Sequence, residues 1–500
     1  MDEKEVIARS LPPPVDVAVD GHFAGKLTPH LYYELRGWIF LPMAALGLAG
    51  FMALVLAIAR VPGADMLMPW TGQTFFQKGL VAHVTFAFVV WYMGVHGAMT
   101  ILATSQCLAG REMGAFSIIL GRTAVYGAGF SLLMMLVPAL ADLGEPSLNN
   151  YIPVLIHPLF YAGLALLAVC LALPVMRLLA LVARTDDMEA SAFGVAAAGV
   201  IYLTALVCVG AAAATIPQNA GAEGTNEYVM WGGGHVLQFA NTLLMLSAFY
   251  ILSRITLGEN PIEAKWFKNM ALIMVAGAAA GPLLYLSYQG GDPTQRMAFT
   301  YMYWFALPIP SAVILGSVVA LLYKRRHDIL TGPPEAIGMA TALVLFAFGG
   351  VIGYFEGSVD TRTPSHYHAM LIAVTLAFIA LYFALFLPLI GLRTSRKKLR
   401  MAMYLLLGGG QFLHSLGLYL AGLEGVVRKT AGAAQGLDSG WKVATMSMMG
   451  LGGIIAVSGG VIFVVLAGRM LLARCGGGGT AGAVAPDGPA LDARTGAGAE

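Results

Sequence analysis

His366 and His368 stand one residue apart at the mouth of a long apolar run, in the stretch Asp360–Ile372 that reads Asp-Thr-Arg-Thr-Pro-Ser-His-Tyr-His-Ala-Met-Leu-Ile. The run continues to about Ile390, long enough to cross a bilayer as a helix. Two residues along a helix is about 200° of rotation, so imidazoles at these positions point to opposite faces. They cannot both reach one metal from the same side. A helix carrying them can instead hold two separate planar cofactors, one on each flank. The plain structural alternative is one buried histidine bonded to a carbonyl and one at the membrane interface. Ionisable residues inside a membrane span are functional candidates by default.

The elements that must position these residues follow from composition. The chain has 500 residues, 58% hydrophobic and only 11% charged, with a mean hydropathy of +0.75. That excludes an ordinary soluble domain and indicates an all-α integral membrane protein. Twelve transmembrane helices are expected, at about 38–60, 79–106, 115–141, 151–183, 192–215, 232–257, 267–288, 298–323, 336–357, 366–391, 400–423 and 443–472. A net charge of +2 gives no sign of a nucleic-acid partner. Where the charge sits is more informative. Arg111, Arg122, Arg177, Arg184, Arg254, Lys265, Lys324 and the run Arg393–Arg400 follow even-numbered spans, whereas Asp142, Glu145, Glu223, Asp292 and Glu356 occupy the opposite loops. The positive-inside rule then places both termini in the cytoplasm of a bacterial-type inner membrane.

Residues 1–36 are expected to form an uncleaved polar cytoplasmic tail, 37–474 a single twelve-helix membrane domain, and 475–500 a disordered Gly/Ala-rich tail. Cys107, Cys170, Cys208 and Cys475 show neither metal spacing nor a disulfide framework.

Of ten histidines, His22, His30 and His327 read as solvated. His83 near the start of span 2, His235 at the start of span 6, and His366 and His368 at the start of span 10 share one membrane depth toward the outer face. A cofactor layer there is the economical explanation. His96, thirteen residues beyond His83, falls about 20 Å deeper as a structural or proton-path residue. His157, read as mid-membrane in span 4, and His414 in span 11 are assigned structural roles.

Several stretches now resemble subunit I of the haem-copper oxidase superfamily, nearest to its B-type oxidases and nitric-oxide-reductase relatives. Thr361-Arg-Thr-Pro-Ser-His-Tyr-His is similar to that family's Pro-Gly-His-Phe-His motif. Gln77-Lys-Gly-Leu-Val-Ala-His83 looks like its span 2 ligand segment, and Tyr151–Gly163 like its span 4 start. Asp292-Pro-Thr-Gln-Arg-Met with Ile309-Pro-Ser resembles the passage from span 7 to span 8. Phe412-Leu-His-Ser-Leu-Gly followed by Arg428-Lys429 resembles the region before the last span. The resemblance covers nearly the whole membrane portion. It implies that His83 and His368 clamp a low-spin haem, that His366 is the proximal ligand of a high-spin haem, and that Arg428 and Lys429 pair with haem propionates. Two arginines are usual in the family at the last site, so Lys429 is a mild departure.

The same family places copper opposite the high-spin haem, held by three imidazoles. His235, in Trp231-Gly-Gly-Gly-His-Val-Leu-Gln-Phe, matches the span 6 ligand, but span 7 contains no histidine. Phe239 stands where oxygen-reducing relatives often carry a tyrosine. One imidazole cannot hold copper tightly, and Ser287, Tyr288 and Gln289 are poor copper ligands. A conventional copper centre is therefore not expected; His235 is left as a hydrogen-bond donor to a haem-bound ligand, or as one ligand of a metal completed by oxygens. Ser311 on span 8 best matches the family's B-type proton path, although hydroxyls also suit helix packing.

The expected function is that of a respiratory terminal oxidase-like oxidoreductase with two haems, resembling cytochrome c oxidase subunit I. His366 and His235 would be its catalytic residues and dioxygen or nitric oxide its substrate. Electrons would come from a partner subunit, a cytochrome c, a cupredoxin or a quinol, because the chain carries no soluble donor domain. The alternative is a copper-less haem protein acting in nitric oxide handling, gas sensing or electron transfer. A twelve-span transporter without cofactor is a third possibility, and it predicts two similar halves that the sequence lacks.

Overall fold

The architecture comes from a computed structural model that describes residues 27–59, 72–217, 220–355, 359–428, 430 and 435–475. Lys429, Glu356 and His22, singled out above, lie outside the described residues, as do most of both expected tails. The chain folds as helices α1 (Pro29–Ala53), α2 (Gln77–Leu108), α3 (Ala115–Leu140), α4 (Pro158–Val182), α5 (Ala190–Ala214), α6 (Ala222–Leu257), α7 (Ala264–Ser287), α8 (Pro293–Lys324), α9 (Glu335–Phe355), α10 (Arg362–Leu389), α11 (Lys397–Leu423) and α12 (Gly440–Leu472). All but α11 are long and apolar enough to cross a membrane. At 27 residues α11 is also long enough, at about 40 Å; Gln411 and His414 dilute its apolar sequence. The expected all-α, twelve-helix membrane architecture is the one observed.

Several boundaries differ from expectation for physical reasons. Helix α1 starts at Pro29, inside the segment read as a tail. Helix α6 starts at Ala222, ten residues ahead of the expected 232, because its polar first turns are held by neighbours: Glu227 accepts from Asn150 Nδ2 at 2.7 Å and pairs with Arg296 at 3.2 Å. Helix α4 starts at Pro158, because the residues before it pair instead as strands β1 (Glu145–Ser147) and β2 (Val154–Ile156), antiparallel with Pro146 opposite Leu155. A proline at the first helical position forces the residue before it out of helical space. His157 is that residue, extended at φ −148 and ψ 135, and its Nδ1 accepts from the Leu159 amide at 3.2 Å. It is a helix cap, not the mid-membrane residue expected from the sequence.

The helices are unequally enclosed. In the most apolar stretches of α2, α6 and α10, 89%, 89% and 78% of residues are buried inside the protein, against 22–61% for the other eight helices long and apolar enough to cross a membrane. A helix apolar on every side belongs in the interior. The outer helices turn large side chains outward, such as Phe116 and Phe130 on α3, Leu286 on α7 and Ile454 on α12, as a lipid-facing surface requires.

Close packing depends on small residues. Along α11, a side chain at Gly410 or Gly417 would run into the α12 backbone at Ala456 or Met449. Two helices are locally wound as π-helix, α2 over Thr85–Val90 and α10 over Tyr382–Phe386. A buried ion pair ties the frame together: Arg177 of α4 donates to both carboxylate oxygens of Glu34 on α1, at 3.0 and 2.6 Å, and also to the Ser117 carbonyl of α3.

Candidate functional site

The three most enclosed helices are the ones that carry His83, His235, His366 and His368. On α2, His83 lies directly before the π-helical turns, and its Nδ1 is 2.9 Å from the Ala49 carbonyl of α1. A carbonyl oxygen only accepts, so Nδ1 carries the hydrogen and the neutral ring keeps its lone pair on Nε2. The same arrangement fixes His366, with Nδ1 2.7 Å from the Gly349 carbonyl of α9. It recurs at His235, 2.9 Å from its own helix's Trp231 carbonyl, and at His414, 3.0 Å from the Met449 carbonyl of α12. An imidazole oriented this way is the usual form of a metal ligand.

The two histidines of α10 face opposite ways, as their spacing requires. His366 turns to α9, whereas His368 packs edge-to-face on His414 of α11 at 4.9 Å between ring centres. His83 is also near enough to His368 to interact with it electrostatically. The residues flanking α10 therefore offer imidazoles on two faces, which fits a planar iron cofactor on each. His414, assigned a structural role from sequence, belongs to this constellation. Its sequence signals are the stretch Phe412-Leu-His-Ser-Leu-Gly, noted above for its resemblance, and its position between Gly410 and Gly417, the residues that let α11 approach α12.

The mouth of α10 is tied to the loop that carries Arg428. The Arg428 amide donates to the Val359 carbonyl at 3.1 Å, the Thr361 amide donates to the Val426 carbonyl at 3.0 Å, and the Thr361 hydroxyl donates to the Leu418 carbonyl at 2.7 Å. Asp360 accepts from Arg362 through both oxygens. Burial alone would raise the Asp360 carboxyl, but the hydrogen bond and charge of Arg362, with Arg428 nearby, hold it below the usual carboxylate range. Arg428 is thus placed at the N-terminal end of the helix that carries both candidate ligands.

His235 has a different environment. It is 4% exposed and enclosed by aromatic rings: Trp231 at 4.8 Å, Tyr151 at 4.9 Å, Phe299 at 5.9 Å and Tyr303 at 6.2 Å. Arg296 covers Trp231 at 4.1 Å. Gly232, Gly233 and Gly234 let this ring of neighbours close in, since a side chain at any of them would strike Phe299, Val209 or Tyr151. Among the described residues no three His, Cys, Asp or Glu side chains are grouped to hold a metal ion. The residues present do not fit a three-imidazole copper centre.

Three hydroxyls of α8 are spent within the helix itself. Ser311 donates to Leu307, Thr300 to Arg296 and Ser317 to Val313, each a carbonyl one turn back in the same helix, the ordinary structural use of such residues.

With this geometry in place, the chain can be set beside known proteins. Residues 35–462 match the family model for Cytochrome C and Quinol oxidase polypeptide I. The chain belongs to that family. Its members are membrane oxidoreductases of the haem-copper type, and this chain is a multi-pass member. It is 24% identical to an uncharacterized protein of Rickettsia prowazekii (strain Madrid E), covering 87% of this chain and 95% of that one. It is 26% identical to an uncharacterized protein of Aquifex aeolicus (strain VF5), covering 69% and 83%. Its fold is similar to that of a heme-copper terminal oxidase dimer solved by cryo-EM, with a TM-score of 0.67 and 16% identity over 90% of this chain and 85% of that one.

Proposed function

We propose that this subunit is a two-haem membrane oxidoreductase that reduces dioxygen or nitric oxide without a conventional distal copper. His83 and His368 are assigned to the low-spin haem, His366 to the proximal side of the high-spin haem, and Arg428, with Lys429 beside it in sequence, to the propionates. The observation that carries this reading is the anchoring of His83 and His366 through Nδ1 on two of the most enclosed helices, which leaves the lone pair of each ring on Nε2. Bound there, a bis-imidazole haem supplies electron transfer only, and a five-coordinate haem supplies an iron open to a gas.

The chain's own residues do the rest. The carbonyls of Ala49 and Gly349 hold His83 and His366 in one tautomer and one orientation. The rings around His235 shield it from bulk water, and with Nδ1 bonded to the Trp231 carbonyl its Nε2 would be the nitrogen available to a bound gas. Arg428 meets carboxylates as a fork of donors. The electron donor is a separate subunit, a cytochrome c, a cupredoxin or a quinol. The clustering of Lys and Arg after even-numbered spans supports an inner-membrane location with both termini cytoplasmic.

A second reading is favoured by the aromatic enclosure of His235 alone: a copper-less haem protein that handles nitric oxide, senses a gas or transfers electrons. One measurement separates the two. Iron, haem and copper per polypeptide are determined together with a carbon monoxide difference spectrum and turnover of dioxygen and nitric oxide. The leading reading expects two haems, less than one copper, one carbon monoxide-binding haem and turnover. Haem without turnover selects the second reading, and a chain without haem defeats both.

A further inference from the structure

At the end of the bundle where α1 begins, two arginines flank a tyrosine and have no acid to meet them. The Arg122 guanidinium of α3 lies 5.7 Å from the centre of the Tyr33 ring of α1, and Arg36 is also near enough to Tyr33 to interact with it electrostatically. Among the described residues neither arginine forms an ion pair. Glu34, the carboxylate nearest in sequence, is buried and gives both oxygens to Arg177. Each arginine is seven residues along its helix, about 10 Å from the start. In helices of 25 and 26 residues, longer than the roughly 30 Å hydrocarbon layer, that is just inside its edge. A long cationic side chain reaches the headgroups from there.

The other polar groups of the cluster are donors as well. The hydroxyls of Tyr33 and Tyr126 are 2.6 Å apart. One hydrogen fills that bond, and the second hydroxyl keeps a hydrogen for a further acceptor. Tyr33 is 38% and Tyr126 65% exposed, so this donor opens outward. Arg122 Nη2 is 3.5 Å from His30 Nδ1; a guanidinium only donates, so the His30 hydrogen sits on Nε2. Further along the same helices the chemistry changes. Phe40, seven residues beyond Tyr33, and Phe130 and Leu133, four and seven beyond Tyr126, are all exposed. Those spacings keep each set on one face. A side chain at Gly37 would strike Val125, so α1 and α3 run close together here. Donors and positive charge at the end, with an exposed apolar stripe beneath, match the shape of a phospholipid rather than a free anion.

We propose that this seam between α1 and α3 binds one anionic phospholipid. Its phosphate accepts from Arg36, Arg122 and the spare tyrosine hydroxyl, and an acyl chain lies along Phe40, Phe130 and Leu133. Charge-assisted bonds from guanidinium to phosphate are the strong kind. Two cations without acids favour a headgroup of net negative charge, such as phosphatidylglycerol, over a zwitterionic one. Tyrosine at this level is the usual interfacial anchor. The orientation proposed above puts the site in the cytoplasmic leaflet; the site itself depends neither on that orientation nor on the haems.

The test uses the full chain, purified in mild detergent with any subunits that accompany it. Phosphatidylglycerol and phosphatidylcholine are titrated in and counted by native mass spectrometry, and a photoactivatable phosphatidylglycerol is crosslinked and mapped to peptides. The wild type is expected to hold one phosphatidylglycerol several-fold more tightly than phosphatidylcholine, with label on the peptides of Phe40 and Phe130. In Arg36→Gln/Arg122→Gln that preference is lost, while phosphatidylcholine binding is unchanged; Tyr126→Phe weakens phosphatidylglycerol about two-fold. Equal affinity for the two lipids, label confined to other helices, or an unaltered double variant overturns the proposal. Displacement of the label by millimolar inorganic phosphate makes this a free-anion site and overturns the lipid assignment. Label that appears only after accompanying subunits are stripped assigns the face to a protein partner and overturns it too. If the double variant does not fold, the wild-type preference and the labelled peptides decide.

Discussion

The two ends of the candidate site make an instructive pair. Around α10, imidazoles come from three helices, with His83 and His366 anchored by carbonyls of α1 and α9, and His414 of α11 lying against His368. Around α6, a single imidazole, His235, is packed among Trp231, Tyr151, Phe299 and Tyr303. Both regions sit on the same enclosed frame, so the frame does not dictate the chemistry at each end. One frame thus presents carbonyl-anchored imidazoles at one end and a single imidazole among aromatic rings at the other.

The sharpest way to break this comparison is to remove ligands from each end. His83→Ala combined with His368→Ala is expected to abolish the low-spin bands in the visible spectrum, whereas His235→Ala leaves total iron per polypeptide unchanged. Equal loss of iron from both variants would erase the distinction between the two ends. The common frame can be challenged next. Glu34→Gln leaves Arg177 as an unpaired buried charge, and breaking such a pair costs about 3–5 kcal/mol; thermal unfolding in detergent should show a large drop, with the haem bands of the surviving folded fraction unaltered.

A smaller effect is expected at His414. His414→Ala should retain the low-spin haem and shift its midpoint potential by no more than about 60 mV, one factor of ten for a single electron. Loss of the haem in this variant, with retention in His368→Ala, would exchange the roles of the two histidines.

The smallest effect concerns the mouth of α10. The Asp360 carboxyl is held below its usual range in the folded protein by Arg362, so its stabilisation is fully present above the ordinary carboxylate pKa and is lost as pH falls through the folded value. Solvent screening keeps the contribution to roughly 1 kcal/mol or less. Unfolding temperatures of the wild type and Asp360→Asn should differ at neutral pH and converge under acid conditions.

Much of the frame was legible in the sequence, because hydropathy reports directly on the demand that a membrane helix satisfy its own backbone. The opposed orientation of His366 and His368 was legible too, since rotation per residue fixes it once α10 is helical. What escaped were features decided by partners distant in sequence. The early start of α6 depends on Asn150 and Arg296 meeting Glu227, which no local pattern in that polar stretch reveals. His414 was passed over because its contact with His368 is made between two helices and no local pattern announces it. His157 could have been read more accurately, since the proline after it already argues for a helix boundary. The absence of histidine from span 7 was plain in the sequence, but the aromatic enclosure in its place required side chains from four segments to be seen together.

The π-helical stretch of α2 lies between His83 and His96. Its wider turns rotate less per residue than an ordinary helix, so the extra residue is absorbed locally and the helix on either side keeps nearly the same phase. Deleting a single residue within Thr85–Val90 would therefore restore an ordinary helix while leaving the two imidazoles at almost their present angle to each other. What that residue changes is the bulge itself, so this segment should tolerate a change of length more readily than its neighbours in the same helix.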